Sequence, residues 1–293
     1  MKKMMSIIKL NIKIVFCKFW AVLGIVFTVI SMLLCFFSWE DFSNPNLCCR
    51  LIALIIVFLL AFFISLITVV SKSTRTVWEN GSGKVVLKYG DLMKIGFPKK
   101  PKSNQVVVVP VNTHFDTIVD ENISDVSNPL VSSNTLHGQW LMKMYNTMTC
   151  EELNSKIQEN LYTQGIAFSS IDRPRGNTDE YPSGTVAIVQ GQNGISFFLL
   201  ALSSFDDNNN AQSSKEILVK AINSLIDFYD KHAQGNRMYV PVMGTGLSRT
   251  GLSEQEALEI LLSVIKLKSG SIHGEIIIVI YNNSKDTLSI WQD

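Results

Sequence analysis

The chain has no excess of either charge and few cysteines, and each shortage excludes a class of protein. It holds 26 basic and 25 acidic residues among 293, and this balance argues against general binding of nucleic acid. Of its five cysteines, four lie in or beside two N-terminal apolar runs, and only Cys150 lies in the rest of the chain. No disulfide framework and no metal-ligand spacing is present, so we expect neither a metal nor a cofactor. The adjacent Cys48 and Cys49 could be acylated or oxidised, although a structural role is the simpler interpretation.

Two apolar runs without charged residues, at about 19–37 and 51–70, dominate the N-terminal part. About 20 helical residues cover the roughly 30 Å hydrocarbon core of a bilayer, so each run can span it. A cleaved signal peptide is the alternative for the first run, but its length and the closeness of the second favour a two-span hairpin. The link at 38–50 suits an interfacial turn. We therefore predict a transmembrane hairpin over residues 1–75.

The basic residues that flank the two runs predict their orientation. Only Arg50 lies between the runs, whereas Lys72 and Arg75 follow the second. The positive-inside rule then places the N-terminus and everything after the second span in the cytoplasm, as a multi-pass protein in contact with membrane lipid. The lysines that precede the first run are Lys2, Lys3, Lys9, Lys13 and Lys18.

From Val85 onward the pattern changes to short apolar strands that alternate with amphipathic helices, which is typical of an α/β domain, and we predict a second domain over residues 76–293. A helix is predicted at about 213–232, and a second begins at Ser253, where Glu256 completes a capping box. By contrast, the polar stretch 112–184 is long for a loop in a compact domain, and such stretches are more often functional than idle. The predicted strands are Val106–Val111, Thr185–Val189, Ser196–Leu202, Met238–Val242 and Glu275–Tyr281.

A glycine-rich loop follows the strand that begins at Met238 and precedes the helix capped by Ser253. Free N–H groups at a helix N-terminus favour an anion such as a pyrophosphate, although a tight turn alone would give the same pattern. A Walker A loop would need lysine at Leu252, and a Rossmann loop would need glycine at Arg249, so neither motif fits. The candidate contacts in this loop are Met243, Gly244, Thr245, Gly246, Leu247, Ser248 and Arg249.

Two further motifs place polar side chains where strands end or turn. Asn112 follows a buried strand, and ligands of open α/β sheets bind beyond the carboxyl ends of strands; an Asx turn is the alternative. Asp91 follows Gly90 and is either a ligand contact or a helix N-cap. The aromatic residues Phe115 and Tyr281 could stack on a ligand or fill the core.

The order and approximate spacing of four motifs resemble those of macro domains, which bind ADP-ribose and related nucleotides. The motifs are Gly90-Asp91-Leu92, the strand ending at Asn112, Ser183-Gly184-Thr-Val-Ala-Ile, and Pro241-Val-Met-Gly-Thr-Gly246. The resemblance covers residues 85–293 and implies an α/β/α sandwich with a mixed sheet. It implies that Asp91 accepts from the adenine amino group, that Asn112 contacts the distal ribose, and that residues 244–248 surround the pyrophosphate.

The sequence departs from macro-domain hydrolases after Asn112, where those enzymes carry a short glycine-rich loop. Here an insertion, Asp120–Asn134, and then Thr135-Leu136-His137-Gly138 stand in that place. The departure counts against hydrolysis of ADP-ribosyl groups and suggests a distal pocket for a group larger than ribose. Thr113, Thr135, Gly138 and Gly184 complete the predicted site, and His114 and His137 are either contacts to the distal group or ordinary loop histidines.

Two spans followed by a divergent macro domain resemble the membrane-anchored effectors of bacterial type II Thoeris antiphage systems. In that family a partner with a TIR domain makes a histidine conjugate of ADP-ribose, which the macro domain binds. The resemblance implies a non-catalytic effector in the bacterial inner membrane that assembles into homo-oligomers and disrupts the membrane, through aggregation or a defined channel, leading to cell death. A membrane-tethered ADP-ribosyl hydrolase and a passive anchor for ADP-ribosylated proteins are the alternatives.

Overall fold

A computed structural model describes residues 2–36, 47–102, 104–122, 124, 126–205, 211–233, 235–245 and 251–291. The chain divides into two compact units, and the first boundary falls between Arg75 and Thr76. Residues 283–292 belong with the N-terminal unit, whereas the predicted second domain ran on to residue 293. We call the first the hairpin unit and the second the α/β unit.

Three helices form most of the hairpin unit: α1 (Lys2–Leu10), α2 (Ile12–Leu34) and α3 (Leu47–Ser71). Two of their segments, Ile12–Leu33 and Cys48–Ser71, are long and apolar enough to cross a membrane. The sequence pattern did not predict α1. It also assigned Leu47–Arg50 to the link, but these residues form the first turn of α3. The rest of the predicted link, 38–46, lies outside the described residues, as does Phe37 at the end of the first predicted run.

Helices α2 and α3 pack side by side in opposite directions. Phe19 near the start of α2 lies 6.3 Å from Phe62, between ring centroids, and Phe27 lies 6.3 Å from Phe58, so the contacts run down one helix as they run up the other. Phe19, Leu23 and Ala61 form the small buried core between the helices. Most of the remaining apolar side chains face outward, as expected for helices surrounded by lipid rather than by protein.

The described residues contain twelve strands, and eight of these form one mixed sheet in the order β1, β2, β12, β11, β3, β9, β10, with β8 paired to β9. The strands from β2 to β9 in this order run parallel, and β8 and β10 run antiparallel to β9, which confirms the predicted mixed α/β fold. Their bounds are β1 Thr74–Asn80, β2 Gly83–Gly90, β3 Gln105–Asn112, β4 Val119–Asp120, β5 Val131–Ser132, β6 Ser169–Ser170, β7 Asp179–Glu180, β8 Val186–Gln190, β9 Ile195–Phe205, β10 Ala211–Gln212, β11 Arg237–Pro241 and β12 Gly274–Tyr281.

Helices cover both faces of the sheet. The central parallel strands are therefore buried on both faces, as their continuous apolar runs require. On β3, Val107 and Val109 face one core with Trp140 and Leu141, whereas on β9 Phe198 packs from the opposite face against Phe228 at 5.1 Å between ring centroids. The remaining helices are α4 Leu92–Gly96, α5 Leu136–Met144, α6 Cys150–Thr163, α7 Lys215–His232 and α8 Glu254–Leu267, with 3-10 turns at Gln192–Gly194, Ser269–Ser271 and Asn282–Asp286.

Two helices begin with the same kind of capping box, of which the sequence analysis predicted one and missed the other. Ser253 and Glu256 form the predicted capping box at the start of α8. The same box occurs at α6, where Thr149 accepts from the backbone N–H of Glu152 while the Glu152 carboxylate accepts from that of Thr149. The polar stretch 112–184, predicted to be an extended loop, therefore contains α5 and α6 as well as two small two-stranded sheets.

Candidate functional site

Four neighbouring parallel strands, β2, β12, β11 and β3, end at one edge of the sheet. Tyr281 at the end of β12 pairs with Gly90 at the end of β2, so Tyr281 and Asp91, which follows Gly90, occupy adjacent strand ends. Pro241 ends β11, and Asn112 ends β3. The topology therefore brings the predicted motifs to a single edge, at the place where open α/β sheets bind ligands.

Asp91 is the N-cap of α4. Its carboxylate accepts hydrogen bonds from the backbone N–H groups of Met93 at 3.0 Å and Lys94 at 3.3 Å. The side chain is 28 % exposed, and the Lys94 ammonium, itself 85 % exposed, lies 3.9 Å from its other oxygen. The N-cap alternative is therefore confirmed, and a ligand contact by the part of the carboxylate that reaches solvent stays a prediction.

The glycine-rich loop begins directly after β11. Met243 and Gly244 are buried, and Gly244 has φ of 87°, a left-handed conformation that a side chain would strain. Thr245 is half-buried. The predicted contacts Gly246, Leu247, Ser248 and Arg249 lie outside the described residues.

The Asn112 side chain is bonded within its own loop. Its Oδ1 accepts from the backbone N–H groups of His114 at 3.2 Å and Asp116 at 3.1 Å, and its Nδ2 donates to Asp116 Oδ2 at 3.2 Å. This is the Asx turn that the sequence left open as the alternative. These bonds fix the conformation of the loop after β3, and a contact between Asn112 and a ribose stays a prediction.

Asp116 is the centre of a buried network that sequence reasoning missed. It is fully buried and accepts from the backbone N–H of Asn177 at 2.8 Å and from Arg173 Nη1 at 3.2 Å, with the Arg173 side chain only 6 % exposed. Gly176 lies against Asp116 with φ of 82°, so that a Cβ there would touch the carboxylate. The Asn177 amide also donates to the carbonyls of His114 at 3.0 Å and Phe115 at 3.1 Å.

The residues between Asn112 and Asp116 point into this packed region. His114 Nδ1 lies 3.1 Å from the Asp179 carbonyl, and burial, reinforced by the charge of Arg173, lowers the pKa of His114. Thr113 Oγ1 donates to Glu180 Oε1 at 3.1 Å. Phe115 is 1 % exposed and packs against Tyr181, so it fills the core, whereas Tyr281 is 55 % exposed at the sheet edge.

Thr135, His137 and Gly138 belong to the first turn of α5, which packs against β3, rather than to a loop. Thr135 caps this helix by accepting from the backbone N–H of Gly138 at 3.0 Å. Gly138 lies against the Ser132 carbonyl, where no Cβ would fit. His137 is 6 % exposed beside the Trp140 ring, and burial lowers the pKa of His137 to about 3, so its imidazole is neutral.

A second arginine holds the predicted insertion after β4. Arg175 donates from Nη2 to Asp120 Oδ1 at 2.9 Å and from Nη1 to the Asn128 carbonyl at 3.2 Å. Burial alone would raise the pKa of Asp120, but hydrogen bonds from Arg175 and from the Leu130 N–H at 2.8 Å outweigh it and lower the pKa. Arg175 therefore holds the insertion at two points, at its first residue Asp120 and at Asn128.

A cavity of about 430 Å³ lies beside the loop after β3. Thr113 from the predicted site, Phe168, Glu180 and Ser183 are among the residues that line it. The neighbouring Gly184 has φ of 95°, and a Cβ at this position would contact Ser224 of α7, so close helix packing accounts for the glycine. Gly184 as a ligand contact stays a prediction.

Comparisons with known proteins agree with this architecture. Residues 85–281 match the family model described as Thoeris protein ThsA, macro domain. The chain is 27 % identical over 283 residues to Thoeris protein ThsA of Bacillus amyloliquefaciens strain Y2, covering 93 % of this chain and 87 % of that protein. Among solved structures, the Oceanobacillus iheyensis macrodomain with MES bound has a TM-score of 0.40 and 16 % identity, covering 73 % of this chain and 92 % of that one. The Trypanosoma brucei macrodomain in complex with ADP-ribose has a TM-score of 0.36 and 10 % identity, covering 67 % and 63 %.

The sheet order and the family match together define the α/β unit as a macro domain. The chain belongs to the Thoeris ThsA macro-domain family, since the family model covers most of its length. That membership associates the chain with Thoeris antiphage defence and with ligands related to ADP-ribose.

Proposed function

We propose that this chain is a non-catalytic receptor and effector of antiphage defence, in which the macro domain binds an ADP-ribose derivative and the hairpin unit provides the output. The supporting observation is the combination, in one chain, of predicted motifs at the ends of neighbouring parallel strands and two helices apolar enough to span a bilayer. The ligand we expect is a histidine conjugate of ADP-ribose made by a partner with a TIR domain.

The nucleotide lies along the edge in this proposal. The exposed part of the Asp91 carboxylate accepts from the adenine amino group, and the Tyr281 ring stacks nearby. The loop that begins at Met243 surrounds the pyrophosphate, whose negative charge is favoured by the N-terminus of α8. The distal group then extends toward the loop after β3.

The buried groups beside Asn112 support binding without catalysis. A general base needs a carboxylate or imidazole that can reach water, but Asp116 is fully buried and already accepts from Arg173 and Asn177. His114 is 3 % exposed and is held by the Asp179 carbonyl. These groups fix the loop rather than present a base to a ligand.

The hairpin unit completes the proposal as a membrane device. The basic flanks favour a topology with both of its ends in the cytoplasm of a bacterial cell and the spans in the inner membrane. The ligand favours an assembled state of several copies because it binds that state more tightly than the resting one. Clustered hairpins then damage the membrane and kill the infected cell.

The experiment uses the full chain in lipid nanodiscs, mixed with ADP-ribose and with its amino-acid conjugates. Calorimetry follows binding, and chromatography follows products over the same period. We expect binding with the ligand recovered intact. Hydrolysis of the ligand would replace this proposal with the tethered hydrolase, and the absence of binding to every ADP-ribose derivative would rule out both.

A second experiment tests the output in vesicles of phosphatidylethanolamine and phosphatidylglycerol that hold a dye. The ligand should release the dye with the unaltered chain but not with Gly246→Val, whose side chain would enter the predicted pyrophosphate loop. Gly270→Val is the matched control, because a Cβ at Gly270 meets no atom within 4 Å. Equal dye release from the Gly246 variant would contradict ligand gating.

A further inference from the structure

The last described residues of the chain are built into the hairpin unit. We define residues 287–291 as the C-terminal strap. Leu288 and Ser289 are each 1 % exposed and Ile290 is fully buried, although the ends of most domains are exposed. The burial shows that the strap is part of the packing of this unit.

The first anchor of the strap is a buried polar pair. Ser289 Oγ donates to Asn11 Oδ1, and Asn11, at the break between α1 and α2, is only 4 % exposed. Asn11 Nδ2 donates in turn to the Ile7 carbonyl at 2.8 Å, and Ser289 Oγ accepts from the Trp291 N–H at 2.9 Å. Separating such a pair without replacement partners is costly, because each polar group would lose its hydrogen bond in an apolar setting.

The second anchor holds the strap to the end of α3. Trp291 Nε1 donates to the Val69 carbonyl at 3.4 Å, and the Lys72 ammonium lies 5.0 Å from the centroid of the indole ring. The Arg75 guanidinium lies 5.9 Å from the same ring, and its Nη1 donates to the Ile290 carbonyl at 3.2 Å. Cations over an indole face attract it, so the ring is fixed by both its N–H and its π face.

The two anchors lie on different helices at the same end of the hairpin. Because α2 and α3 run in opposite directions, Asn11 before α2 and Val69 near the end of α3 are both at the open end. A third contact joins α1 to the residues before the strap, where Lys3 lies 3.7 Å from Asp286. The strap thus bridges the open end of the two spans.

The strap is also the direct continuation of the site edge. Strand β12 ends at Tyr281, one of the predicted ligand contacts, and a single 3-10 turn over Asn282–Asp286 separates it from the strap. The chain therefore leaves the hairpin unit after Arg75 and re-enters it at Asn283, four residues before the strap. A unit connected at two points can transmit a displacement that a single flexible linker would absorb.

We propose that the strap is the positioning element that transmits ligand binding at the end of β12 to the two spans, and that it remains bound across both helices while it does so. This inference rests on the proposed function, because it assumes a ligand at the sheet edge and an output in the membrane. It assigns a role in signal transfer to Ser289 and Trp291, neither of which faces the ligand in that proposal.

The test compares Ser289→Ala and Trp291→Ala with the unaltered chain in the nanodisc and dye-release experiments. Both variants should bind the ADP-ribose derivative as tightly as the unaltered chain, whereas ligand-dependent dye release should fall about tenfold or more, as expected for a buried hydrogen bond lost from the transmitting contact. Ser289→Thr keeps the hydroxyl and should restore release. Ser71→Ala, at an exposed serine that ends α3, is the matched control and should release dye normally.

Hydrogen exchange of residues 2–11 and 283–291 checks directly that the variants detach the strap. Faster exchange in both segments, with β12 unchanged, is the expected result. If an alanine variant fails to fold, Trp291→Phe takes its place, since it removes the N–H donor and shortens the side chain by one ring but keeps an aromatic face. Dye release without ligand would overturn the proposal in favour of an inhibitory latch, and unchanged ligand-dependent release would overturn it outright. Failure of the proposed function is distinguishable, because the unaltered chain would then neither bind the ligand nor release dye.

Discussion

The two ends of the site edge differ in how their side chains are satisfied. At the end of β3, Asn112 and the adjoining Asp116 are buried and bonded to each other. At the ends of β2 and β12, Asp91 is 28 % exposed in its side chain and Tyr281 is 55 % exposed. A polar residue at the carboxyl end of a strand can therefore either stay exposed at the edge of the sheet or be buried to fix the shape of the following loop.

The largest expected effect tests the buried end. Arg173→Leu should lower the free energy of unfolding by about 3 to 5 kcal/mol, because it leaves the Asp116 carboxylate buried without its cation. Denaturant unfolding of the full chain in detergent measures this. Arg175→Leu is the control and should cost less, since the Arg175 side chain is already 31 % exposed. Equal losses of unfolding free energy in the two variants would show that the deeper burial of the Arg173–Asp116 ion pair does not add to stability.

The exposed end is tested at Asp91, where capping and ligand binding can be separated. Asp91→Ala should weaken the binding of adenine-containing ligands by about 1 to 3 kcal/mol and also remove the N-cap of α4. Asp91→Ser keeps a capping oxygen, so it should retain stability and still bind weakly. Calorimetry and thermal unfolding of the two variants give both quantities. Full affinity in the serine variant would mean that Asp91 is only a cap.

The pH dependence of the unfolding free energy tests the burial of His137. Burial in the folded protein lowers the pKa of His137 to about 3, well below the ordinary histidine value of 6.5, so the unfolded chain binds the proton more readily. Stability from this group is complete above pH 6.5 and falls as the pH is lowered toward 3. Going from about pH 7.5 to 5.5 should cost about 1.4 kcal/mol, and His137→Phe should remove that share of the slope. An unchanged slope in the variant would show that His137 is protonated in the folded chain.

The smallest expected effect concerns the ring at the end of β12. Tyr281→Ala should weaken binding of the nucleotide by about 0.5 to 1.5 kcal/mol if the ring stacks on it. Because the ring is 55 % exposed, the melting temperature should stay the same. Tyr281→Phe keeps the aromatic face and serves as the control. A loss of affinity in the phenylalanine variant as large as in the alanine variant would assign the contact to the hydroxyl instead.

Periodic and capped elements were predictable from the sequence. The run from Val106 predicted β3, and the box of Ser253 and Glu256 predicted the start of α8, because both signals are local. The macro fold followed from the order of four short motifs. Helix α6 was predictable by the same rule, since Thr149 and Glu152 form an equal box, but the polar composition around it suggested a loop.

The network behind the site was not predictable, because its partners are far apart in the sequence. Arg173 and Asp116 are 57 positions apart, and Arg175 and Asp120 are 55. No local pattern relates them, and only the fold brings them within hydrogen-bonding distance. The strap was missed for the same reason, since Ser289 bonds to a residue 278 positions earlier. Long-range polar pairs thus determine which loop residues are free to meet a ligand.

The bond between Ser289 and Asn11 also sets an order on biosynthesis. The ribosome delivers Asn11 and both apolar helices before any of the α/β unit, and it delivers residues 287–291 only after that unit. The contact across the open end of the helices can therefore form only once residues 76–282 have been synthesised. Translation thus withholds the complete packing of the hairpin unit until the α/β unit has been made.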